Sequence, residues 1–246
     1  DGDGLDDFLI GAYLNDESGS DAGKTYLILA SSLGSSSTID LSDADYFFVG
    51  EDASDNSGFS VSSAGDVDGD GLDDILIGAY LNDDGATNAG KTYLILGSSL
   101  PLLGSNHVTI DLSSADYFFI GENSSDNAGR SVSSAGDVDG DGLDDVLIGA
   151  HANDDGAINA GKTYLILGSS LPLLGSNSVT IDLSSADYFF IGENSSDNAG
   201  RSVSSAGDVD GDGLSDILIG AHYNNDGGAD AGKSYLILGS SLGSSS

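Results

Sequence analysis

The segment Gly65-Asp-Val-Asp-Gly-Asp-Gly-Leu-Asp-Asp74 returns at Gly136 and, with Ser215 for one aspartate, at Gly207, a spacing of 71 residues both times. Residues 66–136 and 137–207 differ at five positions only: Ile75/Val146, Tyr80/His151, Leu81/Ala152, Thr87/Ile158 and His107/Ser178. Copies this similar must adopt one local fold and bury their apolar faces against one another, so the chain is a stacked array. The opening Asp1-Gly-Asp-Gly-Leu-Asp-Asp7 belongs to a further copy of the same unit.

Each unit holds four short strand candidates and nothing helical. Asp74–Ala79 and Thr92–Gly97 are continuous apolar runs of strand length, as expected of strands buried on both faces. Tyr117–Ile120 is a third, and Arg130–Ala135 a fourth whose small residues suit a crowded position near an axis. Asn-Asp-Asp-Gly, Gly-Ser-Ser and Asn-Ser-Ser-Asp-Asn segments between them carry turn chemistry. The expected fold is all-β, a β-propeller of four-stranded antiparallel blades with the small-residue strand innermost. The divisions fall at a partial blade 1–57, blades 58–128 and 129–199, and a partial blade 200–246. With strands lettered A to D within a blade, the chain starts after one A and stops after one C. That gives about three and a half blades and fourteen strands, and reads as a piece of a longer array.

Gly85-Ala-Thr-Asn-Ala-Gly-Lys-Thr92 fits the pattern of a phosphate-binding loop, and so do residues 156–163 and 227–234. Such a loop needs a helix after it, because the helix N-terminus supplies donors and dipole to the phosphate. Here the lysine runs straight into the strand Tyr93–Leu96, so the segment is a hairpin turn and no nucleotide is expected.

Asp66, Asp68 and Asp70 alternate in a tight loop with glycines at its fourth and sixth places, a spacing that converges carboxylates on one point. Unneutralised, they would repel one another severely. Calcium fits, since it takes about six to eight oxygen ligands in flexible geometry, whereas magnesium demands a stricter octahedron. The expected ligands are the side chains of Asp66, Asp68, Asp70 and Asp74 with the Leu72 carbonyl. The next two loops supply Asp137, Asp139, Asp141 and Asp145 with Leu143, then Asp208, Asp210, Asp212 and Asp216 with Leu214. A truncated loop keeps Asp1, Asp3 and Asp7 with Leu5, for three complete calcium loops and one incomplete. The ninth place is preferred over the eighth because Asp73 and Asp144 become Ser215 while Asp74, Asp145 and Asp216 persist. An EF-hand is excluded, because the twelfth place is Ile77, inside a strand. Glu122 with Asp126, and Glu193 with Asp197, are candidates for a second cation site or for turn formation.

Forty-one acidic residues against six basic ones give a net charge of −35, a field that repels nucleic acid and anionic membrane surfaces. No apolar run approaches the roughly 20 residues of a membrane-spanning helix. Cysteine is absent, so there is neither a disulfide nor a thiolate metal site. Neither a nucleophile–base pair nor a GxSxG elbow is present, so no enzyme is expected. Lys24, Lys91, Lys162 and Lys233 read as solvated or ion-paired, Arg130 and Arg201 as partners of nearby acids, and His107, His151 and His222 as surface or loop residues.

Ala64-Gly-Asp-Val-Asp-Gly-Asp-Gly-Leu-Asp-Asp-Ile-Leu-Ile-Gly-Ala79, followed by Ala89-Gly-Lys-Thr-Tyr-Leu-Ile-Leu-Gly97, resembles the FG-GAP repeat of integrin α-subunit β-propellers and of large bacterial surface proteins. The resemblance covers essentially the whole chain and implies a ring that usually closes seven blades. The family's Phe-Gly is Ser57-Gly58, Ala128-Gly129 and Ala199-Gly200 here, and its Gly-Ala-Pro ends in Tyr80, His151 and His222. The expected role is a calcium-binding extracellular or cell-surface module, structural or adhesive, assembling into a filament or oligomer. Its expected partners are neighbouring copies, missing parts of the same polypeptide, or a surface glycan or protein ligand. The competing reading is a carbohydrate-binding propeller module of a larger surface protein or enzyme.

Overall fold

The computed structural model describes residues 2–101, 107–174 and 177–243. Its strands in chain order are β1 (Phe8–Ala12), β2 (Lys24–Ile28), β3 (Tyr46–Val49), β4 (Ser60–Gly65), β5 (Asp74–Ala79), β6 (Lys91–Ile95), β7 (Val108–Asp111) and β8 (Tyr117–Ile120). They continue with β9 (Ser131–Gly136), β10 (Asp145–Ala150), β11 (Lys162–Ile166), β12 (Val179–Asp182), β13 (Tyr188–Ile191), β14 (Ala199–Gly207), β15 (Asp216–Ala221) and β16 (Lys233–Ile237). The only helices among the described residues are single 3-10 turns of three residues. The fold is all-β, as the hydrophobic runs require.

Four sheets form, in the strand orders β1-β2-β3-β7, β4-β5-β6-β8-β12, β9-β10-β11-β13 and β14-β15-β16. Within each repeat neighbouring strands are antiparallel; the first three follow one another directly in the chain, and a longer connection leads from the third to the fourth. All six residues of β5 and of β10 are buried, which explains why their sequence is a continuous apolar run rather than an alternation. Alternate residues serve different interfaces. Ile75 and Ile77 pack with Leu27 and Phe48 of the preceding sheet, while Leu76 packs with Val146 and Ile148 of the following one. A third cluster sets Leu147 and Leu165 against Ile217 and Ile219.

At the inner strands the sheets come closest. The Ser60 hydroxyl accepts the Val132 N–H at 3.1 Å, and Ser131 accepts that of Val203 at the same distance, so serines bridge β4 to β9 and β9 to β14. Backbone meets backbone beside them: a Cβ on Gly78 would stand 1.9 Å from the Gly129 carbonyl oxygen. Only glycine permits that approach, which accounts for the Gly-Ala ending of β5 and β10.

Two strands were not expected. Val-Thr-Ile-Asp at β7 and β12 lies in the connection between the third and fourth strands of a repeat, and it pairs in parallel with the outer strand of the preceding sheet. The pairs run Tyr46↔Val108 to Val49↔Asp111, and Tyr117↔Val179 to Ile120↔Asp182. Each strap is seated by Val108 N–H to the Asp45 carbonyl at 3.0 Å, or Val179 to Asp116 at 2.9 Å. Tyr46 and Tyr117 hydroxyls donate to the Pro101 and Pro172 carbonyls at 2.9 Å. A sheet therefore extends beyond its own repeat, and the purely four-stranded antiparallel blade is corrected on this point.

Candidate metal centre

The acidic loop begins where β4 ends. Asp66 Oδ1 accepts the Gly69 and Asp70 N–H groups at 2.8 and 3.0 Å, and Oδ2 accepts Gly71 N–H at 2.9 Å. Asp68 accepts from Asp70 at 3.1 Å, and Asp70 from Leu72 at 2.9 Å. Closing so tight a loop needs φ of +78° at Gly69 and +88° at Gly71, backbone that a side chain would strain. The loops at Asp137 and Asp208 repeat these bonds residue for residue.

Asp74 is the first residue of β5 and fully buried. Its two oxygens accept Val67 N–H and Gly97 N–H, both at 2.9 Å, so it ties the loop to the exit of β6. Asp145 and Asp216 hold Val138 with Gly168 and Val209 with Gly239 in the same way, at 2.8 to 2.9 Å. In the opening loop Asp3 accepts Leu5 N–H at 2.8 Å and Asp7 accepts Ala30 N–H at 2.9 Å. Asp1 lies outside the described residues.

Carboxylate oxygens of Asp66, Asp68 and Asp70 lie within 4.8 Å of one another, as do those of Asp137, Asp139 and Asp145, and of Asp208, Asp210 and Asp216. Asp74 stands outside the tightest triplet of its loop, and Asp141 and Asp212 outside theirs. Burial first, and then the neighbouring aspartates, push Asp74 and Asp145 up to about 7. Asp68 and Asp139 are raised for the same reasons. Several hard oxygens crowded onto one point, with no cationic side chain among them, are a donor set that suits calcium. The residues present fit the ion.

Leu72, Leu143 and Leu214 have a second use in the structure: their side chains reach the preceding loop. A Cβ on Gly69 would lie 3.0 Å from Leu143 Cδ2, and one on Gly140 2.9 Å from Leu214 Cδ2. Leu5 is 57% exposed.

The eighth loop position also joins neighbouring loops, which the sequence did not disclose. Asp144 accepts Asp66 N–H through its carboxylate and donates its own N–H to the Asp66 carbonyl, both at 3.0 Å. Ser215 keeps only the backbone half, to the Asp137 carbonyl at 2.8 Å.

Lys91, the invited phosphate ligand, is the first residue of β6 and almost fully buried. Its Nζ meets Glu51 at 2.6 Å and Asp84 at 2.8 Å, over the rings of Tyr93 and Phe118. Lys162 repeats this with Glu122 and Asp155, both at 2.7 Å. Glu122 is therefore committed to a lysine, and Asp126 to Asn153 Nδ2 at 2.7 Å, so the pair does not gather as a second cation site. Glu193 and Asp197 are likewise taken by Lys233 and Asn224. The expected acid partners of the arginines are also absent among the described residues. Arg130 instead places Cζ 4.4 Å from the Phe59 ring centre and 4.8 Å from that of Tyr80.

The FG-GAP repeat profile matches residues 57–95, 128–166 and 199–237, each span running from the turn before an inner strand through the acidic loop to the third strand. The chain carries three FG-GAP repeats. It is 30% identical to Drosophila melanogaster integrin alpha-PS5 over 177 residues, 72% of this chain and 16% of that protein. Integrin alpha-5 of Xenopus laevis is 31% identical over 180 residues, 72% of this chain and 16% of that one. Integrin alpha pat-2 of Caenorhabditis elegans is 30% identical over 233 residues, 90% of this chain and 17% of that one. The FG-GAP chain thus spans less than a fifth of the length of these relatives. Among its described residues no helix is long and apolar enough to cross a membrane.

Proposed function

We propose that this FG-GAP chain is a calcium-binding, extracellular β-propeller segment with a structural or adhesive role and no enzymatic activity. The observation that carries the reading is the return of a carboxylate triplet, oxygens within 4.8 Å, at the same place in three successive repeats. Asp66, Asp68, Asp70 and Asp74, their counterparts in the next two loops, and the carbonyls of Leu72, Leu143 and Leu214 are the ligands in this reading. The partial opening loop contributes Asp3 and Asp7 with Leu5. The units 1–57, 58–128, 129–199 and 200–246 act as about three and a half blades.

Bound calcium supplies positive charge where each unit concentrates negative charge. The chain's own part is to hold the carboxylates against backbone N–H groups, fix the loop with left-handed glycines, and transmit the loop's position to its neighbour through Asp144 and Leu143. Because the loop pins the inner strands to the exit of the third strand through Asp74, metal binding free energy becomes folding free energy. At a free calcium about 100 times Kd, one site adds about 2.7 kcal/mol. Adhesion is supported by the likeness to integrin alpha chains over most of the sequence. The reading extends to self-assembly into a filament or oligomer.

Calorimetric titration with calcium tests the reading. Binding at three or more sites, abolished loop by loop in Asp66→Asn, Asp137→Asn and Asp208→Asn, is the expected result. A chain that binds no calcium, or keeps its stoichiometry in these variants, refutes it. Light scattering against concentration tests assembly separately.

A further inference from the structure

Strands β5, β10 and β15 start at the acidic loops, so their far ends mark the opposite face. There the residue after each Gly-Ala pair, namely Tyr13, Tyr80, His151 and His222, alternates with the residue after a left-handed glycine, namely Phe59, Arg130 and Arg201. The result is a row crossing all four units. Ring centres are 5.0 Å apart for Tyr13 and Phe59, and 4.8 Å for Phe59 and Tyr80, with Arg130 stacked on the latter two. Along the row the chemistry changes from aromatic to cationic. One of the five differences between the two near-identical repeats, Tyr80 against His151, falls on it.

The cationic half is anomalous in so acidic a protein. Every lysine lies within 2.7 Å of a carboxylate oxygen, yet neither arginine has an ion pair among the described residues. Arg130 Nε and His151 Nδ1 are buried with no hydrogen-bond partner. Leaving such polar atoms unmet costs free energy, and so does placing two guanidinium groups near each other. Burial and the charges of both arginines push His151 down to about 3, so it is neutral and fit to donate or accept a hydrogen bond.

We propose that this row is a binding site for a sugar bearing a single carboxylate, such as a uronic acid. The carboxylate is held by Arg130, His151 and Arg201, and the ring's apolar face lies along the adjoining aromatic residues. Guanidinium groups match a carboxylate in two-point geometry. A ligand with one charge is indicated rather than a polyanion, because the net charge of −35 repels repeated anions while one close contact is little affected beyond the screening length of about 8 Å. A sugar is indicated rather than an acidic peptide because the rings of Phe59 and Tyr80, in contact with each other and with the Arg130 guanidinium, place aromatic surface directly beside the charge. The inference rests on the reading of an exposed adhesive module and names its ligand class, but it does not depend on the metal.

The test is a titration of the calcium-loaded chain with glucuronate, with glucose and with a tri-aspartate peptide, followed by NMR. Glucuronate should bind about tenfold more tightly than glucose, the size of one charge-assisted hydrogen bond. Arg201→Gln should lose about that factor while calcium stoichiometry stays unchanged. His151→Tyr, which restores the residue present at Tyr80 and so keeps a side chain this fold accommodates, should also weaken glucuronate binding. Equal binding of glucose and glucuronate, an unchanged Arg201→Gln, or a tri-aspartate peptide that binds as well as glucuronate would each overturn the proposal. Loss of calcium binding with intact glucuronate binding would refute the metal reading alone.

Discussion

Stripping calcium should invert the pH dependence of stability. In the metal-free fold Asp74 and Asp145 are raised from 3.8 to about 7, chiefly by burial. A carboxyl whose folded pKa is raised stabilises the fold while protonated, so its contribution is full below the unfolded value and is lost as pH climbs to the folded one. The window is therefore about pH 4 to 7. At 1.36 kcal/mol per unit, each of these two groups costs about 4 kcal/mol when ionised without a cation. Two such costs are comparable to the whole stability of an ordinary domain, about 5–15 kcal/mol. Asp55, raised to about 6 by burial, acts in the same direction. With calcium the sign reverses, because the ion binds the ionised form and acid displaces it. The assay is urea unfolding followed by tyrosine fluorescence, there being 10 tyrosines and no tryptophan. The calcium-stripped chain should have a higher midpoint at pH 5 than at pH 7.5, and the calcium-loaded chain the opposite order. General charge repulsion falls with acid too, so the deciding comparison is Asp145→Asn, which should remove much of the stripped chain's slope. A stripped chain whose midpoint rises with pH, or an Asp145→Asn slope equal to wild type, would refute the reasoning.

Three further outcomes are expected. Gly149→Ala should cost about 3 kcal/mol or more by overpacking, because the new Cβ would lie 2.0 Å from the Gly200 carbonyl oxygen; Gly220→Ala, whose nearest neighbour is at 3.6 Å, should change urea stability by less than about 0.5 kcal/mol. Lys162→Met should lose about 3 kcal/mol at fixed calcium, since it strands Glu122, only 14% exposed, without its cation. Asp144→Ser, which copies Ser215, should cost about 1 kcal/mol and weaken calcium at the Asp66 loop in calorimetry, through the lost bond to the Asp66 N–H.

The parts of the fold that local chemistry dictates were open to reading in the sequence. Continuous apolar runs gave β5 and β10, turn residues gave their ends, and the missing helix after Lys91 disposed of the phosphate-loop pattern. What escaped depends on contacts between repeats. Val-Thr-Ile-Asp is too short to show a period, and nothing local says that it pairs with a strand about 60 residues earlier in the chain. Asp144 was set aside because its counterpart is Ser215, yet that comparison tests only for a ligand and is blind to a residue that grips the loop next door. The arginines were expected to find acids because acids are so numerous. Proximity in space decided otherwise, and the aromatic rings of Phe59 and Tyr80 hold Arg130 instead.

The straps bear on how such a gene lengthens. A sheet takes its last strand from the next repeat, so the 71-residue segment that is copied does not coincide with the sheet that folds. Each duplicated segment arrives with the latch that fastens it to the segment before, and the outer strand it leaves behind accepts the latch of the one after. Tandem copying can then extend the array without inventing a new interface, and near-identity between copies becomes an advantage, because any latch fits any outer strand. The same property lets a copy be lost by recombination with little damage to the joints on either side. Length, in a lineage of such chains, should vary more freely than sequence.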